Sequence, residues 1–234
     1  MLKVNGTAIE NVKFNGVDLD KVIVNGVIIF EKMSPQENIV TMKTLQDNIM
    51  LHVKTKDGSP CEVWNAGNKI GVLNNDQGTS VSVPNKNEAV IIKGKTITSL
   101  YCPDNQLTSL DVQGLNSLQS LNCSYNQLTS LNVQSLNSLQ YLECYNNQLT
   151  NLNVQDLNSL QSLSCFYNQL TAQAFKEIFN NLLQTENGKA VVHNDNDNNY
   201  KDFTRPPELV EAFNGAKARG WKFYKNYVSD SNLL

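Results

Sequence analysis

Residues 128–148 read LTSLNVQSLNSLQYLECYNNQ, and this stretch closely matches the segments on either side of it. Residues 107–127 read LTSLDVQGLNSLQSLNCSYNQ, and residues 149–169 read LTNLNVQDLNSLQSLSCFYNQ. The three units are each 21 residues long and follow one another without a gap. A fixed period of this length predicts a chain that winds into stacked units, each of which packs against the next.

The residues that recur from unit to unit follow the order L-x-x-L-x-C-x-x-N-x-L. The L-x-C step alternates as in a half-buried strand. The Asn follows where the chain turns out of the strand, so we expect its side chain to bind backbone groups there. The residues predicted to form this inward, structural ladder are Asn105, Asn126, Asn147 and Asn168.

Four of the five cysteines occupy the same position of successive units, namely Cys102, Cys123, Cys144 and Cys165, and Cys61 stands apart. A disulfide framework is one interpretation of five cysteines. Parallel strands in register would instead place the four sulfurs side by side, where Cys serves as a small buried hydrophobic residue. The regular spacing favours buried free thiols over disulfides.

The repeats resemble bacterial leucine-rich repeats with a cysteine ladder, of the kind found in internalins and in surface proteins of gut Bacteroidetes. The resemblance covers roughly residues 40 to 227. Within it, EAVIIKGKTITSLYCPDNQLTSLDV (88–112) resembles the junction between a small β-rich cap and the first repeat, and LTAQAFKEIFNNLL (170–183) with ARGWKF (218–223) resembles the closing unit. The fold class that it implies is an α/β leucine-rich repeat solenoid with a parallel concave sheet, small N-terminal β modules and an α/β C-terminal cap.

Four parts are predicted along the chain. Residues 1–32 form a β-meander, because Asn-Gly pairs at 5–6, 15–16 and 25–26 lie between β-branched runs and favour tight hairpin turns. Residues 31–38 are polar and serve as the linker. The remaining parts are a β-rich cap over 37–96, the repeats over 97–171 and a capping unit over 172–234.

The first 32 residues also resemble short N-terminal modules of phage and prophage structural proteins. The chain begins at Met1 without a basic region followed by an apolar one, so no signal peptide is expected. The resemblance implies that residues 1–32 anchor the chain to a virion or another assembly.

The capping unit is predicted to contain two helices and two strands. Thr171 is the expected N-cap of an amphipathic helix over 172–184. The segment KAVVH (189–193) reads as one more strand of the stack. Pro206 and Pro207 open a second helix, Gly220 ends it, and WKFY (221–224) supplies a closing strand.

Composition disfavours several classes of partner. The formal net charge is only −3, and no window collects a run of like charges, so neither nucleic-acid binding nor a basic membrane-binding patch is expected. No apolar run approaches the roughly 18 residues that a membrane span needs. No cofactor or metal site is predicted.

Two groups of reactive residues have a structural and a functional interpretation. His52 and Cys61 could form a catalytic pair, but no orienting third group accompanies them. The segment HNDNDNNYKD (193–202) resembles a calcium loop only loosely, because it lacks the Gly and the terminal Glu of the EF-hand spacing. The structural interpretation is favoured for both.

The outward strand positions of the repeats are rich in aromatic and amide side chains. Rings offer flat apolar area with a polar tip, and amides provide directional hydrogen bonds, a combination that suits a carbohydrate or an extended peptide. An alternative is that Tyr is a common exposed strand residue that only keeps the sheet soluble. The candidate ligand-binding residues are Tyr101, Asn122, Tyr125, Tyr141, Glu143, Tyr145, Phe166 and Tyr167.

These features predict a non-enzymatic binding or adhesion protein that recognises a glycan or a protein on a cell surface, located on a virion or at an extracellular surface. One alternative is a bacterial cell-surface or secreted adhesin. Another is a structural decoration protein in which the repeats act as a spacer and residues 1–32 make the important contact. An enzyme is disfavoured, since the sequence contains no paired carboxylates on a recognisable frame and no glycine-rich phosphate loop.

Overall fold

The structure is a computed structural model. It describes the backbone of residues 3–4, 7–8, 12–14, 17–19, 21–24 and 27–31, and all of residues 37–234 except the side chain of Asp230. The chain divides into two compact units, Met1–Glu37 and Asn38–Leu234.

The first unit contains six short strands, which are β1 (Lys3–Val4), β2 (Thr7–Ala8), β3 (Val12–Phe14), β4 (Val17–Leu19), β5 (Lys21–Val24) and β6 (Val27–Glu31). They pair in order as three antiparallel two-stranded sheets. The Asn-Gly pairs predicted to form the turns, and residues 32–36 of the predicted linker, lie outside the described residues.

The second unit begins with eight strands, which are β7 (Glu37–Thr44), β8 (Asn48–Thr55), β9 (Cys61–Asn65), β10 (Asn68–Leu73), β11 (Gln77–Ser82), β12 (Val90–Lys95), β13 (Ile97–Tyr101) and β14 (Leu107–Asp111). Five of them form one sheet in the order β10-β9-β12-β7-β14. Strands β11, β8 and β13 are joined by antiparallel pairing and start a second sheet.

The repeats extend this second sheet by one short strand per unit, namely β15 (Ser120–Asn122), β16 (Tyr141–Glu143) and β17 (Ser162–Ser164). The C-terminal region adds α1 (Ala172–Asn181), β18 (Gly188–His193), α2 (Pro207–Ala218), β19 (Trp221–Lys225) and a 3-10 turn at Asp230–Asn232. The complete order is β11-β8-β13-β15-β16-β17-β18-β19, with parallel pairing from β13 onward.

The predicted fold class, an α/β leucine-rich repeat solenoid, is wrong. The two sheets of residues 37–234 contain thirteen strands, the larger sheet mixes antiparallel with parallel pairs, and the described residues contain two α-helices. The stretch between successive repeat strands forms tight turns, in which Leu115 N donates to Val112 O and Leu118 N to Leu115 O. Such turns leave no room for a helix in each unit, so the chain is mostly β.

The Asn ladder is confirmed. The Asn147 Nδ2 donates to the carbonyl oxygens of Cys123 (3.0 Å) and Cys144 (3.1 Å), and its Oδ1 accepts from Leu128 N at 3.0 Å. Asn126 and Asn168 make equivalent bonds. The ladder continues to Asn199, which lies outside the 21-residue spacing and still bridges Leu170 N, Cys165 O and Val192 O.

The five cysteines are buried and unpaired, so the prediction of buried free thiols is confirmed. Burial raises the pKa of the Cys61 thiol to about 11 and that of Cys123 to about 12. The thiols lie among the leucines of the repeats in one apolar core that runs through both sheets and the C-terminal helices. The packing of this core holds the outward strand positions in place.

The C-terminal elements largely follow their prediction. Thr171 caps α1, because its hydroxyl accepts from Ala174 N at 3.1 Å. The helix ends at Asn181, earlier than predicted, because Leu182 adopts an extended conformation and its carbonyl oxygen binds the Arg219 side chain. Neither described helix has the length and apolar character that crossing a membrane requires.

Candidate functional site

The register of the parallel strands decides which repeat side chains face outward. Leu100, Leu121, Leu142 and Leu163 are aligned in adjacent strands and are fully buried. Since successive side chains in a strand point to opposite faces, the residues on either side of each leucine face away from this core. One outward row follows the leucines and contains Tyr101, Asn122, Glu143 and Ser164, and the other precedes them and contains Tyr141.

Four of the predicted site residues form one continuous contact, which we call the aromatic face: Tyr125, Tyr145, Phe166 and Tyr167. The Tyr125 ring meets the edge of Tyr145 with centroids 5.2 Å apart. Tyr145 stacks on Phe166 with centroids 4.5 Å apart and ring planes within 6°. Tyr167 lies 5.6 Å from Phe166. The Tyr125 side chain remains 54% exposed, so a flat ring is available to a ligand.

Two residues of the aromatic face, Tyr125 and Tyr167, have a left-handed backbone. The second residue after each repeat cysteine has a positive φ, which is 53° at Asp104, 53° at Tyr125, 52° at Asn146 and 50° at Tyr167. Asp and Asn tolerate this conformation, whereas for most other residues it costs roughly 1 to 2 kcal/mol. The backbone conformation therefore does not favour tyrosine at either position, although at Tyr167 the hydroxyl donates to Asn194 Oδ1 at 3.0 Å.

The other predicted site residues lie elsewhere on the outward surface. The Asn122 Nδ2 donates to Glu143 Oε2 at 2.5 Å, and the Asn122 Oδ1 accepts from the Ser124 hydroxyl at 2.7 Å. Glu143 is half-buried, and this burial raises its pKa, while the bond from Asn122 acts in the opposite direction. Tyr141 is 47% exposed and stands in the neighbouring row.

Tyr101 has a different aromatic partner, His52, for which the sequence favours a structural role over a catalytic pair with Cys61. Antiparallel pairing of β8 with β13 brings the two rings together at 5.2 Å between centroids. His52 Nε2 lies 3.0 Å from Asp76 Oδ1, and hydrogen bonds from His52 and Lys54 lower the pKa of Asp76. Cys61 is buried in the other sheet, in strand β9.

A groove of about 440 Å³ runs beside the aromatic face. Tyr125 and Tyr167 line it together with Asp104, three ladder asparagines and a set of further amide residues. The ladder residues are Asn126, Asn147 and Asn168, and the further amides are Asn146, Gln148, Gln169, Asn196 and Asn198. Sequence reasoning did not select these amides. The sequence does contain a pattern that could have identified Asn146. Like Tyr125 and Tyr167, it lies two residues after the cysteine of its repeat.

The Asp-rich loop at 193–202 contributes three residues to the lining of this groove, and its carboxylates have protein partners. The buried Asp197 accepts from the backbone N–H groups of Tyr167 and Asn194, both at 2.8 Å, and of Asn199 at 3.2 Å. Asp195 pairs with Lys225. In the part of the chain that the structure describes, no cluster of three or more His, Cys, Asp or Glu residues is arranged to hold a metal ion. The carboxylate of Asp197 therefore stabilises the loop through hydrogen bonds to backbone groups, and the loop forms part of the lining of the groove.

The arrangement as a whole offers exposed rings and side-chain amides in adjacent positions. Rings bind apolar faces of a ligand, and amides both donate and accept hydrogen bonds. These groups support reversible, noncovalent recognition. No family model, curated protein or solved structure matches this chain.

Proposed function

We propose that this chain is a non-enzymatic binding protein that attaches to a glycan or a protein on a cell surface through the aromatic face. The observation that carries the proposal is the placement of Tyr125 and Tyr167 in left-handed backbone positions. Proteins retain residues that cost stability mainly where those residues serve function. The rings are also grouped with Tyr145 and Phe166, as expected of a recognition surface and not of scattered solubilising residues.

The repeat itself supplies the substitution that tests this proposal. Asn146 occupies the same slot as Tyr125 in the next unit, with the same backbone conformation. Tyr125→Asn removes the ring and its edge contact with Tyr145, worth about 0.5 to 1.5 kcal/mol. The easier left-handed conformation of Asn offsets this loss. The variant is therefore expected to keep its free energy of unfolding within about 1 kcal/mol of the wild type.

Binding of the fluorescently labelled full chain to intact gut bacteria and to host epithelial cells is measured by flow cytometry. Tyr125→Asn is expected to weaken attachment roughly tenfold or more, as for an aromatic anchor. Tyr227→Asn is the matched control, because Tyr227 is 64% exposed and lies in the C-terminal segment, outside the aromatic face. Equal attachment of the wild type and Tyr125→Asn would reject the proposal.

We further propose that residues 1–32 anchor the chain to a virion or an envelope assembly. The observation in favour is that the described strands of this unit pair only as isolated two-stranded sheets, and such sheets are marginally stable alone in water. Docking onto a larger assembly would stabilise them. Deletion of residues 1–32 is expected to prevent incorporation while preserving attachment to cells. Immunogold labelling of purified phage particles, compared with labelling of bacterial envelopes, tests the carrier.

A further inference from the structure

The groove beside the aromatic face crosses four successive units. Each unit contributes the residue two positions after its cysteine, and these residues are Asp104, Tyr125, Asn146 and Tyr167. Backbone hydrogen bonds join neighbouring units at this point, for example from Tyr125 N to Tyr145 O at 3.0 Å. At the usual strand spacing of about 4.8 Å, three steps make this row about 14 Å long. The groove therefore suits a ligand that lies along it as an extended chain.

The side-chain amides around the groove are available to such a ligand. Within the described residues, no hydrogen-bond partner is found for the side chains of Asn146, Gln148, Gln169, Asn196 and Asn198. The ladder asparagines behave differently, since their amides are fully used by the backbone. A free amide both donates and accepts, as does a sugar hydroxyl, so the two groups match in either orientation.

The charge of the groove argues against an anionic ligand. Among the described residues that line it, none is Lys, Arg or His. Of its two carboxylates, Asp197 is buried, is held by backbone N–H groups and lies 3.9 Å from Lys201 Nζ, whereas Asp104 is exposed. A carboxylated or sulfated chain would meet the exposed Asp104 carboxylate, and Lys201, the cation beside Asp197, is already bound to the carbonyl oxygens of Asp195 and Asp197.

A peptide fits the groove less well than a sugar chain. An extended peptide gains affinity by adding to the edge of a sheet, or by burying a side-chain anchor in a pocket. The residues that line this groove lie outside the strands, and the repeat strands β15, β16 and β17 are each already paired on both sides. The rings of Tyr125 and Tyr167 offer flat surfaces instead, against which the apolar face of a sugar ring can pack.

We infer that the groove binds a neutral, hydroxyl-rich oligosaccharide chain, with Tyr125 and Tyr167 packing against sugar rings and the amides of Asn146, Gln148 and Gln169 binding hydroxyl groups. This inference rests on the proposed function and specifies its ligand class.

The purified full chain is applied to a printed panel of neutral hexose and N-acetylhexosamine oligosaccharides, together with sialylated and sulfated counterparts. Neutral oligosaccharides are expected to be bound, with affinity rising with chain length. Asn146→Tyr fills the groove between two tyrosines that already share its backbone conformation, and is expected to reduce this binding roughly tenfold or more. Asn137→Tyr, at an exposed turn position of the same unit, is expected to leave it unchanged.

A second variant keeps the test informative if Asn146→Tyr fails to fold. Gln148 and Gln169 are both exposed, so the double variant Gln148→Leu, Gln169→Leu removes two amides without altering the core. It is expected to weaken neutral oligosaccharide binding with the fold retained by circular dichroism. Preferred binding of the anionic counterparts, absence of binding to any neutral oligosaccharide, or binding unaffected by these variants would overturn the inference.

Treatment of the target cells separates this inference from the proposed function. Periodate destroys vicinal diols of sugars, and a protease removes surface proteins. Attachment that is lost after periodate and survives the protease supports a saccharide ligand. Attachment that requires Tyr125 but survives periodate and is lost after protease overturns the inference and leaves the proposed binding function standing.

Discussion

At the scale of single residues, the asparagine ladder stabilises the fold through hydrogen bonds to buried backbone groups. Asn147 is 8% exposed, and its amide makes three hydrogen bonds of 3.0 to 3.1 Å to backbone groups of Leu128, Cys123 and Cys144, together with a longer one of 3.4 Å to Tyr145 O. Water cannot replace these bonds, because the groups lie inside the core. A buried backbone group without a partner costs roughly 1 to 3 kcal/mol.

Asn147→Leu keeps a similar side-chain volume and removes these hydrogen bonds. We expect the free energy of unfolding to fall by at least about 3 kcal/mol, the sum for three unsatisfied groups at the low end of that range. Urea denaturation followed by circular dichroism measures the loss.

Asn151→Leu is the control for this prediction, because Asn151 lies at the start of the next unit and is exposed. Its effect is expected to stay within about 0.5 kcal/mol. A similar loss in both variants would mean that the ladder contributes no more to stability than a surface asparagine does.

At the scale of elements, the two C-terminal helices are joined at their ends by side chains of the α2 to β19 connection. Arg219 Nε donates to Leu182 O at 2.7 Å, and Trp221 Nε1 donates to Leu183 O at 2.8 Å, so both bind carbonyl groups just after α1. Between them, Gly220 has a φ of +94°, and a Cβ at this position would overlap the carbonyl oxygen of Thr185. Only glycine fits a backbone that turns this sharply against another segment.

Gly220→Ala combines the cost of a left-handed backbone, about 1 to 2 kcal/mol, with an overpacking cost of about 1 to 3 kcal/mol. The expected loss of unfolding free energy is roughly 2 to 5 kcal/mol, measured by thermal or urea unfolding.

Gly58→Ala provides the matched comparison, since Gly58 has a φ of +75° and open space around its Cβ position. It should show only the backbone cost of about 1 to 2 kcal/mol. If both alanine variants lost the same free energy of unfolding, the close approach of Gly220 to Thr185 would not contribute to the cost of the substitution.

At the scale of the whole molecule, residues 38–234 share a core that contains all five thiols. Burial disfavours the thiolate, so the pKa values of these thiols are raised in the folded chain. In the unfolded chain the thiols ionise near their ordinary value of 9.0. Above that pH the folded state binds more protons than the unfolded state, and stability falls as the pH rises.

We expect the free energy of unfolding to be insensitive to thiol ionisation below pH 9 and to decrease above it by about 1.4 kcal/mol per pH unit for each buried thiol. Cys123→Ala removes one thiol whose folded pKa is about 12. Between pH 9 and 11 the free energy of unfolding of this variant should therefore decline less steeply than that of the wild type. The difference between the two slopes is expected to be about 1.4 kcal/mol per pH unit.

Urea denaturation at a series of pH values measures the two slopes. Cys61→Ala is expected to reduce the slope equally up to the folded pKa of Cys61, about 11, and to have no further effect above it. Identical slopes for the wild type and both variants would show that the thiols ionise alike in the folded and unfolded chains.

Several features could be predicted from local sequence because each depends on residues near one another or one period apart. The 21-residue spacing indicated parallel alignment of repeat strands, seen in the pairing of Leu121 with Leu142. It also indicated the Asn ladder and the buried thiols. The cap at Thr171 followed from one side chain and its neighbours. In each case the sequence repeats or places the interacting groups within a few residues.

The sequence by itself determined the spacing of the repeat strands, the identity of the buried residues and the presence of tyrosines at outward positions. Tertiary structure decided the fold class. The pairing of β8 with β13 and the turns between the repeat strands cannot be predicted from the 21-residue spacing, because that spacing says nothing about contacts with residues outside the repeats or about the conformation between the strands. It also decided the candidate site. Tyr125, Tyr145, Phe166 and Tyr167 meet, and the groove amides gather beside them, because three contributions bring separate segments together. These are the pairing of neighbouring units, the left-handed backbone at Tyr125, Asn146 and Tyr167, and the hydrogen bond from Tyr167 N to Asp197.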